Sequence, residues 1–363
     1  MKILDRLILK EFLSAVLFAL LTFSLLFIVV NAMENLDDFL DHHTPAGAIL
    51  HYYAVFLPDI LRLLTPVAFL LASLFATGRM AARNEITAMK SAGLSLWRFL
   101  LPLLSISLVF SFAHLYFSGW IVPEANQKKA ELAYQYLKKG KRRENLQNVF
   151  FRDTATINVH FQYYHSGSNA GSEMTIEIFD SPLHPRLRQR IAARNFYWDT
   201  LRHRWVLLRG RVFQYDPAGW RLQIQSFDTL QAPLHITPEE LQLLQASENE
   251  LTLPELRRYI ETLQKGGKNV RRQLIAYHAR IAFSFANVVV VLFGVPFAFL
   301  PVRRKGIAVE IAIAMFAAFF YLAFTKISQS IVAATTLPPV IGGWLTNGIF
   351  AIAGIVNIIR VRS

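Results

Sequence analysis

Residues 12–33 read FLSAVLFALLTFSLLFIVVNAM, an unbroken run without one charged side chain. A helix of about 20 apolar residues is what crosses a hydrocarbon layer. The run is too long for the core of a secretion signal, and no small-residue cleavage site follows it cleanly, so it reads as a retained membrane helix. Five more runs of that kind follow, at 50–76, 99–122, 281–300, 307–332 and 340–359. Between the third and fourth the hydropathy changes character. The pattern predicts six transmembrane helices with a water-facing domain inserted in the middle.

Composition supports two environments for one chain. Of 363 residues 53% are hydrophobic and only 17% charged, with mean hydropathy +0.33. A soluble surface needs more charge than that. The net charge of +13 invites a nucleic-acid reading, but the basic residues flank the apolar runs, where they orient membrane helices. No nucleic acid is expected as a partner.

Orientation follows from the short loops. Lys2, Arg6 and Lys10 precede the first run. Arg79, Arg83, Lys90 and Arg98 lie between the second and third, Arg303, Arg304 and Lys305 between the fourth and fifth, and Arg360 and Arg362 after the sixth. Six crossings put all four sets on one side, the cytoplasm. The opposite side receives Glu34, Asp37, Asp38 and Asp41 and the uncharged loop 335–339. The basic stretch 128–143 also falls there, inside a long translocated segment to which the charge rule hardly applies.

The expected organisation is therefore 1–122, 123–272 and 273–363. The middle part opens with a polar helix over 123–141 and then alternates with period two. Strands are expected around 149–151, 157–161, 174–179, 190–198, 205–215 and 222–225. Turn-forming clusters at 166–171, 180–182 and 216–219 separate them. Such spacing predicts a sandwich or jelly-roll-like domain. Thr252 and Glu255 form a capping-box signature for a helix to residue 264. The domain is rich in aromatics, among them Phe161, Phe179, Trp198, Phe213 and Trp220. They fit an ordinary core or a groove for an apolar ligand, and composition alone leaves both open.

Several chemistries are missing. Gly140-Lys141 is followed by Arg142 and Gly267-Lys268 by Asn269, so no phosphate-binding loop of the nucleotide hydrolases is present. There is no HExxH zinc pattern, no Gly-x-Ser-x-Gly elbow and no cysteine. No enzyme activity, metal or cofactor is expected. Asp37, Asp38, Asp41, His42 and His43 resemble a cation site in composition but read better as a solvated helix end.

Two features point to mechanism. Over 79–94, a helix would set Ala82, Ile86 and Met89 on one face and Ala81, Glu85, Ala88 and Ala92 on the next. A carboxylate among alanines suits close docking, with Glu85 able to meet an arginine. Gly93 then closes the helix. Ionisable residues also occur within the apolar runs. Asp59 and Arg62 are one turn apart and suited to neutralise each other. His114 and Lys326 have no evident partner in their own helices. Lys326 can snorkel outward or face an anionic lipid headgroup.

Taken together, the chain resembles the LptF/LptG (YjgP/YjgQ) permeases of lipopolysaccharide export over nearly its whole length. The resemblance is carried by Leu4-Asp5-Arg6 with Lys10-Glu11-Phe12, by 83–93, by Trp120-Ile121-Val122-Pro123, by 277–282 running to Gly294-Val295-Pro296, and by Leu337-Pro338-Pro339 with Trp344-Leu345-Thr346-Asn347. It implies a multi-pass subunit in the inner membrane of a Gram-negative bacterium, paired with a second permease and docked on a cytoplasmic ATPase dimer. The docking element would be the helix carrying Arg83, Glu85, Ile86, Met89 and Gly93. Lipopolysaccharide would enter sideways from the membrane lipid and pass through periplasmic jelly rolls, this chain's own and a bridging subunit's. Phe161, Phe179, Trp198 and Phe213 would line that route. Lys128, Lys129 and Lys326 are candidates for the phosphorylated head. The opening Leu4-Asp5-Arg6 leans to the LptG type, although the outer end of the first helix is acidic where that type carries basic residues. Rival classes are a lipoprotein-releasing permease, which usually has four spans, and a lipid-modifying enzyme at the periplasmic face built on 37–43.

Overall fold

The computed structural model describes residues 3–93, 95–138, 145–216, 222–298 and 307–362. The readings above that rest on residues 2, 94, 139–143, 217–220, 299–300 and 303–305 lie outside these. In chain order the elements are α1 (Ile3–Glu34), α2 (Leu36–Asp41), α3 (Ala46–Ala82), α4 (Glu85–Ser91), α5 (Leu96–Tyr116), a π turn (Phe117–Ile121), α6 (Val122–Leu137), β1 (Asn145–Thr154), β2 (Ile157–His165), β3 (Ala170–Phe179), β4 (Leu187–Asp199), β5 (Arg204–Tyr215), β6 (Leu222–Gln231), α7 (Pro238–Leu243), α8 (Leu253–Lys265), α9 (Arg271–Ser284), α10 (Ala286–Ala298), α11 (Ile307–Ala334) and α12 (Pro339–Arg362). They form two compact units, Met1–Lys138 with Arg271–Ser363, and Lys139–Val270. Helix α6 thus groups with the membrane helices, and the boundary falls at Lys138 rather than at residue 122.

Among the described residues of the helical unit, five helical stretches are long and apolar enough to cross a membrane. Helices α9 and α10, bent by 51° at Phe285, make a sixth candidate if they count as one span. Helix α3 has 37 residues, about 55 Å at the usual rise, against a hydrocarbon of about 30 Å. Arg62 stands about 30 Å up the axis from Ala82. Its ion pair with Asp59, one turn earlier, closes at 2.7 Å, so the two charges neutralise each other as the sequence suggests.

Proline shapes the backbone of this unit. Pro66 lacks an N–H, so the carbonyl of Arg62 loses its helical donor. His114 of α5 replaces it, donating from Nε2 to Arg62 O at 3.0 Å. Likewise Pro123 cannot donate to the carbonyl of Gly119, and the helix widens there into the π turn. Around these breaks the core is closely packed. Phe12 meets Phe69 edge-on at 5.5 Å, and Leu70, Leu100, Val291 and Val295 are buried with them. A side chain at position 343 would run into the backbone of His278 and Ala279, so Gly343 lets α12 lie directly on α9. Asn347 then ties three helices. Its Nδ2 donates to Ala282 O at 2.7 Å, and its Oδ1 accepts the Tyr321 hydroxyl at 2.6 Å. The guanidinium of Arg271 caps the end of α11, donating to Val332 O and Leu337 O.

The inserted unit takes the form of one antiparallel sheet in which β1 to β6 pair in chain order. Each of the six strands expected from alternation is present. Val149, Phe151, Val159, Phe161, Ile176, Ile191 and Leu207 fill one face. Tyr164, Phe196 and Trp205 complete it with ring contacts of 5.6 to 6.2 Å around Phe161 and one another. Burial pushes the Tyr164 hydroxyl up to about 12. The segment after β6 closes over this face, held by Trp205 Nε1 donating to Ile236 O at 2.7 Å. Capping boxes start both α7, at Thr237 with Glu240, and α8, at Thr252 with Glu255.

One buried carboxylate anchors that closing segment. Asp153 accepts from the backbone N–H groups of His235 and Ile236 and from His235 Nδ1, at 2.7 to 3.1 Å, with its side chain almost fully buried. Removing it strands buried donors. Asp153→Ala is expected to cost about 3 kcal/mol locally, read as faster amide exchange at 232–237 in the full-length chain. Exchange there no faster than in wild type would show that the clamp is dispensable.

Candidate functional site

The basic residues at one end of the helical unit are drawn together by acidic residues of α1. Asp5 meets Arg98 of α5 at 2.7 Å. Glu11 lies 3.2 Å from Arg79 and 3.6 Å from Arg83, and Arg83 lies 3.8 Å from Glu85. The two parts differ in character. Asp5 and Arg98 are largely sheltered, with side chains 14% and 30% exposed. Arg79 and Arg83 are 62% and 54% exposed, so their pairs add little stability and their charges stay available to a partner.

The expected continuous helix over 79–94 is two pieces. Arg83 ends α3, and Asn84 takes a left-handed φ of 58°, which asparagine tolerates better than most residues. Helix α4 begins anew at Glu85 and runs to Ser91. Gly93 turns the chain at φ 77°, and Ser95 caps α5 by accepting from Arg98 N at 3.3 Å. The reset at Asn84 changes which face looks out. Ile86 is buried with Met80, and Met89 packs half-buried against the same core. These two hold α4 to the bundle and do not present a surface to a partner. Arg83, Thr87, Ala88, Ser91, Ala92 and Gly93 are exposed, with Glu85 partly so at their edge.

The candidate headgroup residues are also distinguished. Lys129 of α6 sits with its ammonium 3.3 Å from the centre of the Phe56 ring and 5.8 Å from that of Tyr52, a cation–π site between α6 and α3. Lys128 and Lys326 are exposed. Near the outer end of α1, Phe39 of α2 packs on Tyr52 and Tyr53. Among the described residues no group of three His, Asp or Glu is placed to hold a metal ion. Helices α1 and α11 leave broad apolar faces uncovered, including Leu17, Phe18, Leu21 and Leu25 on the first and Phe316, Phe319 and Phe320 on the second. Such faces need hydrocarbon or another apolar helix against them.

The four aromatics expected along one groove do not share one. Phe161 is fully buried in the ring cluster and lines no open channel. Trp198 packs half-buried on Trp205 at 5.1 Å. Phe179 is half-buried at the end of β3. Phe213 pairs with Arg190 on the opposite face of the sheet. Phe161 and Trp198 thus belong to the core of the sheet, and Phe179 and Phe213 do not. Among the described residues an open cavity of this unit lies elsewhere, around Phe150, Arg152, His160 and Arg190.

The ion network was hard to see in advance because its partners are 68 and 93 residues apart. The available signal was acidic residues placed early in a helix whose flanks are otherwise basic. Comparisons with known proteins cover nearly the whole chain. The sequence profile of the family described as "Lipopolysaccharide export system permease LptF/LptG" matches residues 6–360. The chain is 20% identical over 357 residues to the lipopolysaccharide export system permease protein LptG of Escherichia coli strain K12, covering 96% of this chain and 95% of that one. The LptG protein of E. coli O6:H1 strain CFT073 matches equally. That of Haemophilus influenzae strain Rd is 20% identical over 364 residues, with 96% of each chain covered.

The sheltered pair is the testable part of the geometry. Asp5→Asn or Arg98→Gln should each lower stability in detergent by about 2 kcal/mol, and the swap Asp5→Arg with Arg98→Asp should recover part of it. Additive losses in the swap would mean that the two charges do not interact.

Proposed function

The chain belongs to the LptF/LptG family of lipopolysaccharide export permeases, and we propose that it serves as the LptG-type permease of that system, docking on a cytoplasmic ATPase dimer through α4. It is a multi-pass membrane subunit of the transporter and not its ATPase. The full-length relatives named LptG favour that type over LptF. The observation that carries the docking reading is Glu85, placed at the rim of an exposed, small-residue surface and paired only loosely with Arg83 at 3.8 Å. A better-placed arginine on the ATPase would displace that contact and form a stronger, charge-assisted one.

The rest follows from physical needs. Pulling a multi-chain lipid from a bilayer exposes methylenes at about 0.8 kcal/mol each, so the work must come from a nucleotide-hydrolysing partner. The uncovered faces of α1 and α11 suit a second permease and the membrane lipid between them. The cytoplasmic side is the basic end, which leaves the inserted sheet in the periplasm, where a bridging subunit takes over the lipid. Lys128 and Lys326 are the residues to meet its phosphates. Lys129 serves instead to brace α6 on Phe56.

Glu85→Arg should reduce the ATPase recovered with the detergent-purified chain at least tenfold, while Glu261→Arg, an exposed charge reversal on α8, leaves it unchanged. Full recovery of an ATPase with the charge-reversed chain would move the docking surface away from α4. A wild-type chain that brings down no ATPase and no lipopolysaccharide would end the transport reading.

A further inference from the structure

The open cavity of the inserted unit, about 600 Å³, lies on the face of the sheet turned away from its core. Antiparallel register sets its lining. Phe150, His160 and Thr175 stand in one cross-strand row, and Arg152, Asn158, Glu177 and Arg190 in the neighbouring row. Between them Phe151, Val159, Ile176 and Ile191 point the other way, into the core. The ring of Phe150 is 73% exposed. It lies flat on His160, with centroids 3.9 Å apart and planes 19° from parallel. A large apolar ring kept in water in a fixed orientation is a platform, and its electron-rich face attracts the polarised C–H groups of a sugar ring.

Cations surround the platform. Arg152 is held by its Nε donating to Asn158 Oδ1 at 3.0 Å. Arg190 stands across Glu177 in the same row. Lys268 arrives from outside the sheet, and the chain fixes its approach. Lys268 N donates to Leu263 O at 3.0 Å. Gly267 takes the left-handed φ of 69°, and a Cβ at Gly266 would sit 2.6 Å from the carbonyl oxygen of Arg152. Only glycines allow that loop to lie so close on β1. Three cations and one carboxylate thus line a groove beside an aromatic platform.

We propose that this groove binds a phosphorylated saccharide. The sugar ring stacks on Phe150, the phosphate lies among Arg152, Arg190 and Lys268, and Glu177 accepts a hydrogen bond from a sugar hydroxyl. Two arginines suit the fork geometry of a phosphate. The inference deepens the transport reading and rests on it for its biological source. The phosphorylated sugar part of the lipid would rest on the outer face of the sheet, away from the apolar core.

The test uses the full-length chain in detergent and a phosphorylated glucosamine disaccharide without acyl chains, followed by ligand-observed NMR titration. Saturable binding is expected, weakened at least fivefold by Phe150→Ala and tenfold by Arg190→Glu. Both positions are exposed, and unchanged amide exchange in the sheet checks that the variants fold. The unphosphorylated disaccharide and inorganic phosphate should each bind at least fivefold more weakly than the phosphorylated sugar. No saturable binding, or equal affinity in both variants, overturns the proposal. So does inorganic phosphate binding as tightly as the sugar, or a polyglutamate peptide displacing the sugar at lower concentration, which would assign the groove to an acidic protein segment. Lipid and ATPase carried along in the same preparations separate the two readings. If both accompany the wild type while the sugar fails to bind, this site is wrong and the transport role stands. If the sugar binds as expected with neither present, the site stands without that role.

Discussion

In hydrocarbon a peptide carbonyl without a donor costs several kcal/mol, and at Pro66 the helical unit meets that cost with a side chain from another helix. Pro66 leaves the Arg62 carbonyl without its helical partner, and His114 supplies a donor from another helix. At the bend at Phe285 the carbonyl of Ala282 accepts from Phe285 N at 3.0 Å and takes a second donor, Asn347 Nδ2 of α12, at 2.7 Å. The end of α11 is met by the guanidinium of Arg271. In each case a polar side chain of one helix meets a backbone carbonyl of another. These side chains therefore also serve as the cross-links that set how the spans pack.

The charged ends obey a different balance. Water is close, desolvation is small, and an ion pair is worth little in stability. What the network of Glu11, Arg79, Arg83 and Glu85 provides is placement: it gathers charges from α1, α3 and α4 at one end. The buried part of α4 does the anchoring through Ile86 and Met89. Cohesion and recognition are thus divided between the two sides of a seven-residue helix.

Much of this fold was legible in the sequence because it is periodic. Apolar runs, alternating strands and the Thr252–Glu255 cap are local signals that depend on a few neighbouring residues. The break at Asn84 was not legible, since no glycine or proline marks it. That one left-handed residue rotates everything after it, which is why Ile86 and Met89 turned inward against expectation. The bend at Phe285 is similarly unmarked, because apolar residues continue through it. The pairing of His114 with Arg62 was recoverable in principle: Pro66 names the carbonyl it strips, four residues earlier. Which residue would answer it depended on packing between spans. The aromatics of the sheet were correctly seen as numerous, but their sorting into core and outer face required the register, where a single-residue step decides the side.

The length of α3 has a mechanical consequence. Pro58 and Pro66 interrupt its hydrogen bonds, yet α3 runs as one helix, and a tilt of about 5° at Ala82 carries Arg62, about 30 Å along the axis, through about 2.6 Å. Because α3 bears Arg79 and Met80 near one end and Asp59, Arg62 and the Lys129 brace toward the other, a small angular change beside α4 becomes a shift of about half a helical turn at that brace.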